Sequence, residues 1–74
     1  VMIRTLQKWN GAGNDFLVDV GSFEDLSVWT ASRATAACDR DAGIGADGLL
    51  LATLDGASLT MTLFNADGSI AEMS

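Results

Sequence analysis

The chain has no proline, no histidine and no tyrosine, and its single cysteine is Cys38. Without a second cysteine there is no disulfide, and without histidine no structural zinc set of the usual cysteine and histidine ligands. Basic residues are scarce. Arg4, Lys8, Arg33 and Arg40 stand against ten acidic residues, for a formal net charge of −6. Four scattered cations make no stripe that could track phosphates, so nucleic acid is excluded as a partner. No apolar run reaches the roughly 20 residues needed to span a bilayer, and the N-terminus lacks the apolar middle of a signal peptide. A lone thiol fits a reducing compartment, and the expected location is the cytoplasm.

What is present is a core-forming composition in a short chain. Of 74 residues, 49% are apolar, yet a domain of about 60 residues hides only about 60% of its unfolded surface. Such a chain folds stably only with unusually good packing, or with a continuation or partner to cover it.

Hydrophobic periodicity predicts a first strand over residues 2–9, broken at Gly11-Ala12-Gly13, and a second over Phe16–Val20, closed by Gly21. Ser27 is expected to cap a helix over Val28–Asp39, whose Val28, Ala31, Ala34 or Thr35, and Cys38 share one face. A glycine-rich loop from Arg40 to Gly48 follows. The continuous apolar run Leu49–Leu54 predicts a strand buried on both faces. Asp55-Gly56 predicts a hairpin, and Ser58–Phe64 alternates as its return strand. Asp67-Gly68 marks another turn, and Ser69–Met73 is too short to assign. The order β-β-α-β-β, with a helix between two antiparallel pairs, predicts an α+β fold rather than a doubly wound parallel sheet.

Two motifs match known patterns only in their letters. Gly43-Ile44-Gly45-Ala46-Asp47-Gly48 spells the dinucleotide fingerprint, which requires a strand before it and a helix after it. Here the order is reversed, so the glycines read as a tight helix-to-strand loop. Leu63–Ser74 mimics a calcium loop around Gly68. Its end positions hold Leu63 and Ser74 instead of carboxylates, which removes most of the charge that holds calcium. The acids Asp39, Asp41 and Asp47 lack a histidine partner and read as a solvated loop. Cys38, in the run Ala36-Ala37-Cys38, reads as a small buried hydrophobe rather than a nucleophile.

Asn14 follows a glycine turn and Asn65 ends the alternating strand. Each amide offers two donors and an acceptor, so a converging pair could grip a zwitterionic amino-acid headgroup. The other reading is that each is a turn asparagine bonded to its own backbone.

Three blocks carry a resemblance: Gly11-Ala12-Gly13-Asn14-Asp15-Phe16, Asp39-Arg40 with Gly43–Gly48, and Asn65–Ser69 with Ala71-Glu72. In this order and at these spacings they resemble the N-terminal part of diaminopimelate epimerase. The resemblance implies an epimerase that uses no cofactor and interconverts LL- and meso-diaminopimelate, for lysine and peptidoglycan-precursor synthesis. It also implies two similar halves, each a mixed sheet wrapped around a central helix, with two cysteines facing the substrate Cα from opposite sides.

On that pattern Asn14 and Asn65 are substrate-binding, the substrate is a small amino acid, and the full-length protein is a possible homodimer. The central helix begins just after Met73, and its first N–H groups receive the substrate carboxylate. The residues given are then an incomplete N-terminal piece, inactive alone. Asn10 departs from a common histidine, and Gly48 from a glutamine that contacts substrate in some members.

Ser74 falls at the first catalytic cysteine, the departure with the largest chemical consequence. A thiol of pKa about 8.5 is lowered further by a helix N-terminus, whereas a serine hydroxyl needs a base beside it. Ser74 is therefore the catalytic position of a serine–cysteine variant, part of a binding paralogue that does not epimerise, or an engineered replacement of a reactive thiol. A small acidic interaction domain without an active site is the reading from a different class.

Overall fold

The structure is a computed structural model that describes residues 6–11 and 13–72. Its elements are β1 (Gln7–Asn10), β2 (Asp15–Ser22), α1 (Phe23–Leu26), α2 (Ala31–Cys38), β3 (Gly48–Asp55), β4 (Ser58–Asn65) and β5 (Ile70–Glu72). The five strands form one sheet in the order β1-β2-β3-β4-β5. Only β2 and β3 run parallel; the other three pairings are antiparallel. The sheet is therefore mixed, as expected for this α+β chain. The β-β-α-β-β order is corrected to two strands, two helices and three strands.

The differences have local causes. Gly21 does not close β2 but lies inside it, paired with Thr53. Ser22 then caps α1, accepting from the Asp25 N–H at 3.1 Å while the Asp25 carboxylate accepts from the Ser22 N–H at 3.3 Å. This reciprocal capping box starts a single helical turn. Ser27 ends that turn rather than starting the long helix. A turn follows, closed by the Trp29 N–H on the Leu26 carbonyl at 3.1 Å, and the extended Thr30 then caps α2 by accepting from the Arg33 N–H at 3.2 Å. The helix expected from Val28 thus begins at Ala31. Ile70–Glu72 pairs with β4, so the segment too short to assign is an edge strand. The first strand's residues 2–5 lie outside the described residues.

Between β3 and β4, Asp55 pairs with Ser58 across the two-residue loop Gly56-Ala57. Gly56 has φ 59° and Ala57 does not have positive φ. That pattern is a first-position glycine in a hairpin turn whose twist suits the flanking strands.

Both helices pack on one face of the sheet. Leu26, Trp29, Ala34 and Cys38 meet Leu17, Leu49, Leu51 and Phe64 in the buried core. The carboxylate of Asp19, 2% exposed, enters this layer and accepts from the Trp29 indole N–H at 2.8 Å.

Residues paired across strands point to the same side, so the opposite face is set by register. It carries Val18, Leu50 and Leu63 in one row, Val20, Ala52 and Met61 in the next. Among the described residues no helix covers it. Val20 is 55% exposed and Leu59 58%. The expectation that β3 is buried on both faces is therefore corrected: Leu49 and Leu51 are buried, whereas Leu54 is exposed. β4 turns the same way. Leu59, Met61 and Leu63 lie on the open face, while Thr60, Thr62 and Phe64 look toward the helices.

Candidate functional site

The glycine-rich loop closes the C-terminal end of α2. Gly43 N–H donates to the Asp39 carbonyl at 2.9 Å, Ile44 and Gly45 N–H to Ala37 at 3.0 and 3.1 Å, and Ala46 N–H to Cys38 at 3.1 Å. These bonds use carbonyls that a helix end leaves without partners. A Cβ on Gly43 would fall 2.0 Å from the Ala36 carbonyl oxygen, so the close approach requires glycine. The helix C-terminus carries the negative end of the macrodipole, which disfavours a phosphate at this loop. The G-x-G-x-x-G pattern here serves helix termination.

The loop delivers Asp47 to the start of β3, between the ends of β2 and β4. Asp47 N–H donates to the Asp15 carbonyl at 2.9 Å, and Asp47 Oδ2 accepts from the Asp15 N–H at 2.8 Å. The Asp47 carbonyl accepts from the Ala66 N–H at 3.1 Å. Arg40 spans the two carboxylates, Nη1 to Asp15 Oδ2 at 3.4 Å and Nη2 to Asp47 Oδ1 at 3.3 Å. The Asp15 N–H bond holds Asp47 below the ordinary carboxylate range, ahead of a smaller opposing desolvation and the pull of Arg40. Asp47, read as part of a solvated loop, is exposed but tied to its neighbours on both sides.

Asn14 and Asn65 come to this same end of the sheet. Asn14 immediately precedes Asp15, and Asn65 pairs with Gly48, which pairs in turn with Phe16. By register Asn65 lies on the open face. Both asparagines are exposed. The Asn14 carbonyl accepts from the Gly11 N–H at 2.7 Å, and its side-chain amide makes no hydrogen bond among the described residues. Asn65 is partly a turn residue: its Nδ2 donates to Ser69 Oγ at 3.0 Å. The turn is fixed further by Asp67 Oδ1, which accepts from both the Ser69 N–H and hydroxyl at 2.9 and 2.6 Å. These bonds hold Asp67 below its ordinary range.

Ser74 lies outside the described residues. β5 runs antiparallel to β4, and Glu72 sits opposite Thr62, three positions back from Asn65. At about 3.4 Å per residue that is roughly 10 Å along the strand. Gly48 is buried, and a Cβ there would fall 2.8 Å from the Phe64 carbonyl oxygen. No side chain extends into the site from that position.

Cys38 is 3% exposed, and burial pushes its thiol up, partly offset by Arg40. Asp39 Oδ1 accepts from the N–H groups of Asp41 and Ala42 at 2.8 and 3.2 Å, a local turn. Cavities of about 160 and 310 Å³ open between α1 and the middle of β3 and β4, and neither is lined by Asn14 or Asn65. Among the described residues, no helix is long and apolar enough to cross a membrane.

The fold and this corner define a mixed-sheet α+β segment with two exposed asparagines at one end, beside a carboxylate–guanidinium brace on Asp15. Comparisons with known proteins supply similar sequences. No family model matches the chain. It is 44% identical over 68 residues to a diaminopimelate epimerase of Nostoc punctiforme, covering 89% of this chain and 24% of that protein. It is 42% identical over 71 residues to one from a Synechococcus species, covering 93% and 25%. A third, from Prochlorococcus marinus, is 48% identical over 73 residues, covering 89% and 24%. Over the segment it matches, the chain is similar to the diaminopimelate epimerases, and it spans about a quarter of the length of these curated relatives. Epimerases are isomerases, so the relatives are enzymes of that class.

Proposed function

We propose that this chain is part of an amino-acid epimerase that interconverts LL- and meso-diaminopimelate by proton transfer at Cα. Asn14 and Asn65 bind the substrate headgroup. Ser74 stands at the first proton-transfer position. The segment alone is inactive, because a two-sided transfer needs groups on both sides of Cα. The observation that carries this reading is the gathering of Asn14 and Asn65, 51 positions apart, at one end of the sheet beside Asp47.

The open face supports the finer architecture. A row of aliphatic side chains on one side of a sheet is what a covering helix seals. A helix laid there with its N-terminus toward Asn65 would aim N–H groups at a substrate carboxylate. Sheet and helix together would make the mixed sheet wrapped around a central helix that the resemblance implies.

Proton exchange tests the activity. In the full-length protein in heavy water, diaminopimelate should gain deuterium at Cα, and Ser74→Ala should slow the gain. Substrate binding with no deuterium incorporation would favour a non-catalytic binding paralogue, the second reading, which the serine at the thiol position supports.

A further inference from the structure

We infer that Asp47 is a positioning residue for the Asn14 amide: its carboxylate holds the Asn14 segment against the sheet, braced by Arg40. The inference rests on the reading of Asn14 as a substrate-binding group.

Asp47 reaches both asparagine-bearing segments, by different means. Its main chain holds both, donating to the Asp15 carbonyl at 2.9 Å and accepting from the Ala66 N–H at 3.1 Å. Those bonds persist whatever side chain is present. Its side chain acts on one segment only. Oδ2 takes the Asp15 N–H at 2.8 Å, and Oδ1 takes Arg40 Nη2 at 3.3 Å, while Arg40 Nη1 reaches Asp15 Oδ2 at 3.4 Å. The residue next to Asn14 is therefore held by a closed ring of side chains that no bond of the strand ladder duplicates. On the other side of Asn14, the described residues of the turn contribute main-chain bonds between Gly11, Gly13 and Asn14. A charged acceptor on an N–H is stronger and more directional than a neutral one. Removing the Asp47 carboxylate should thus loosen Asn14 and leave Asn65 in place.

The test is amide hydrogen exchange and side-chain amide NMR on the labelled chain. In Asp47→Ala, exchange at the Asp15 N–H should accelerate ~10-fold or more, with the Asn14 Nδ2 signals displaced, because the loss is local opening. The Asn65, Leu51 and Thr62 signals should stay in place. Asp47→Asn keeps an acceptor and should restore most of the Asp15 protection. In the full-length protein, Asp47→Ala should also weaken binding of meso-diaminopimelate, and Asp47→Asn should weaken it less.

If the wild-type full-length protein binds no diaminopimelate, the substrate reading fails, while the exchange measurement still decides the positioning role. Unchanged Asp15 protection in a folded Asp47→Ala variant would overturn the inference. If that variant does not fold, the wild-type protein decides. Its Asp15 amide proton should shift with the titration of Asp47, among the flanking charges of Asp15, Arg40 and Lys8, and an Asp15 proton that ignores that titration overturns the inference.

Discussion

Single carboxylates carry much of the loop structure. Asp39 and Asp47 each accept backbone N–H groups, and Asp67 accepts the hydroxyl and N–H of Ser69; all three are held below the ordinary value of 3.8. A carboxylate whose folded pKa is depressed stabilises the fold above its unfolded pKa and loses that contribution as pH falls through the folded value. Stability should therefore be flat near neutrality with respect to these groups and decline below about pH 4. Urea midpoints measured across that range should show the fall, and Asp67→Asn should flatten part of it. A midpoint independent of pH down to about 2 would contradict the assignment.

Residue chemistry was partly legible in the sequence. Cys38 reads as a buried hydrophobe from its alanine neighbours, and it is one. The Asp19–Trp29 bond was not legible, because it links a strand to a loop ten positions away and leaves no period. Asp47 was passed over for the same reason: its partner Asp15 is 32 positions distant. The two Asp-Gly steps at Asp47 and Asp67 look alike as letters, yet one braces two strands and the other closes a turn.

At the scale of elements, capping decides where helices begin. Ser27 is the cap that the sequence pattern suggests, yet Thr30 is also an acceptable cap by residue type. The structure selects Thr30 because the Ser22–Asp25 capping box places a short turn first and Trp29 must reach Asp19. Thr30→Ala should cost about 1 kcal/mol, the usual loss of an N-cap bond. Ser27→Ala, on the exposed end of α1, should change stability by no more than about 0.5 kcal/mol. Chemical denaturation of the two variants distinguishes the caps, and equal losses would restore Ser27 as the start of the helix. Strands with strong alternation were readable, whereas α1 and β5, at four and three residues, are shorter than the window in which a period shows.

The whole molecule is asymmetric between its two faces. One is sealed by α1 and α2; the other presents Val20, Leu54, Leu59 and Met61 to solvent. Periodicity identifies which residues share a side of β4 but not which side the helices take, so the direction of burial was not legible. Exposed apolar surface of this kind drives association. The chain as given should bind a hydrophobic dye and self-associate with rising concentration, as sedimentation would show. Leu59→Lys should reduce association with a stability change within about 0.5 kcal/mol. A monomeric, dye-silent protein would mean that the face is covered in solution.

The pairing order also sets a timetable for folding. β3 and β4 are joined by a two-residue loop and zip along eight paired positions, Gly48↔Asn65 to Asp55↔Ser58. A hairpin of this kind closes in about 1–10 μs. β2 meets β3 across a far longer loop, with Phe16 against Gly48, and long loops close against a larger entropic penalty. As the chain leaves the ribosome, β2 has its β1 neighbour from the outset. It must wait for both helices and β3 to be made before its other edge is satisfied. Until then the edge that will carry Asp15 and its brace stays open to pairing with a neighbouring nascent chain.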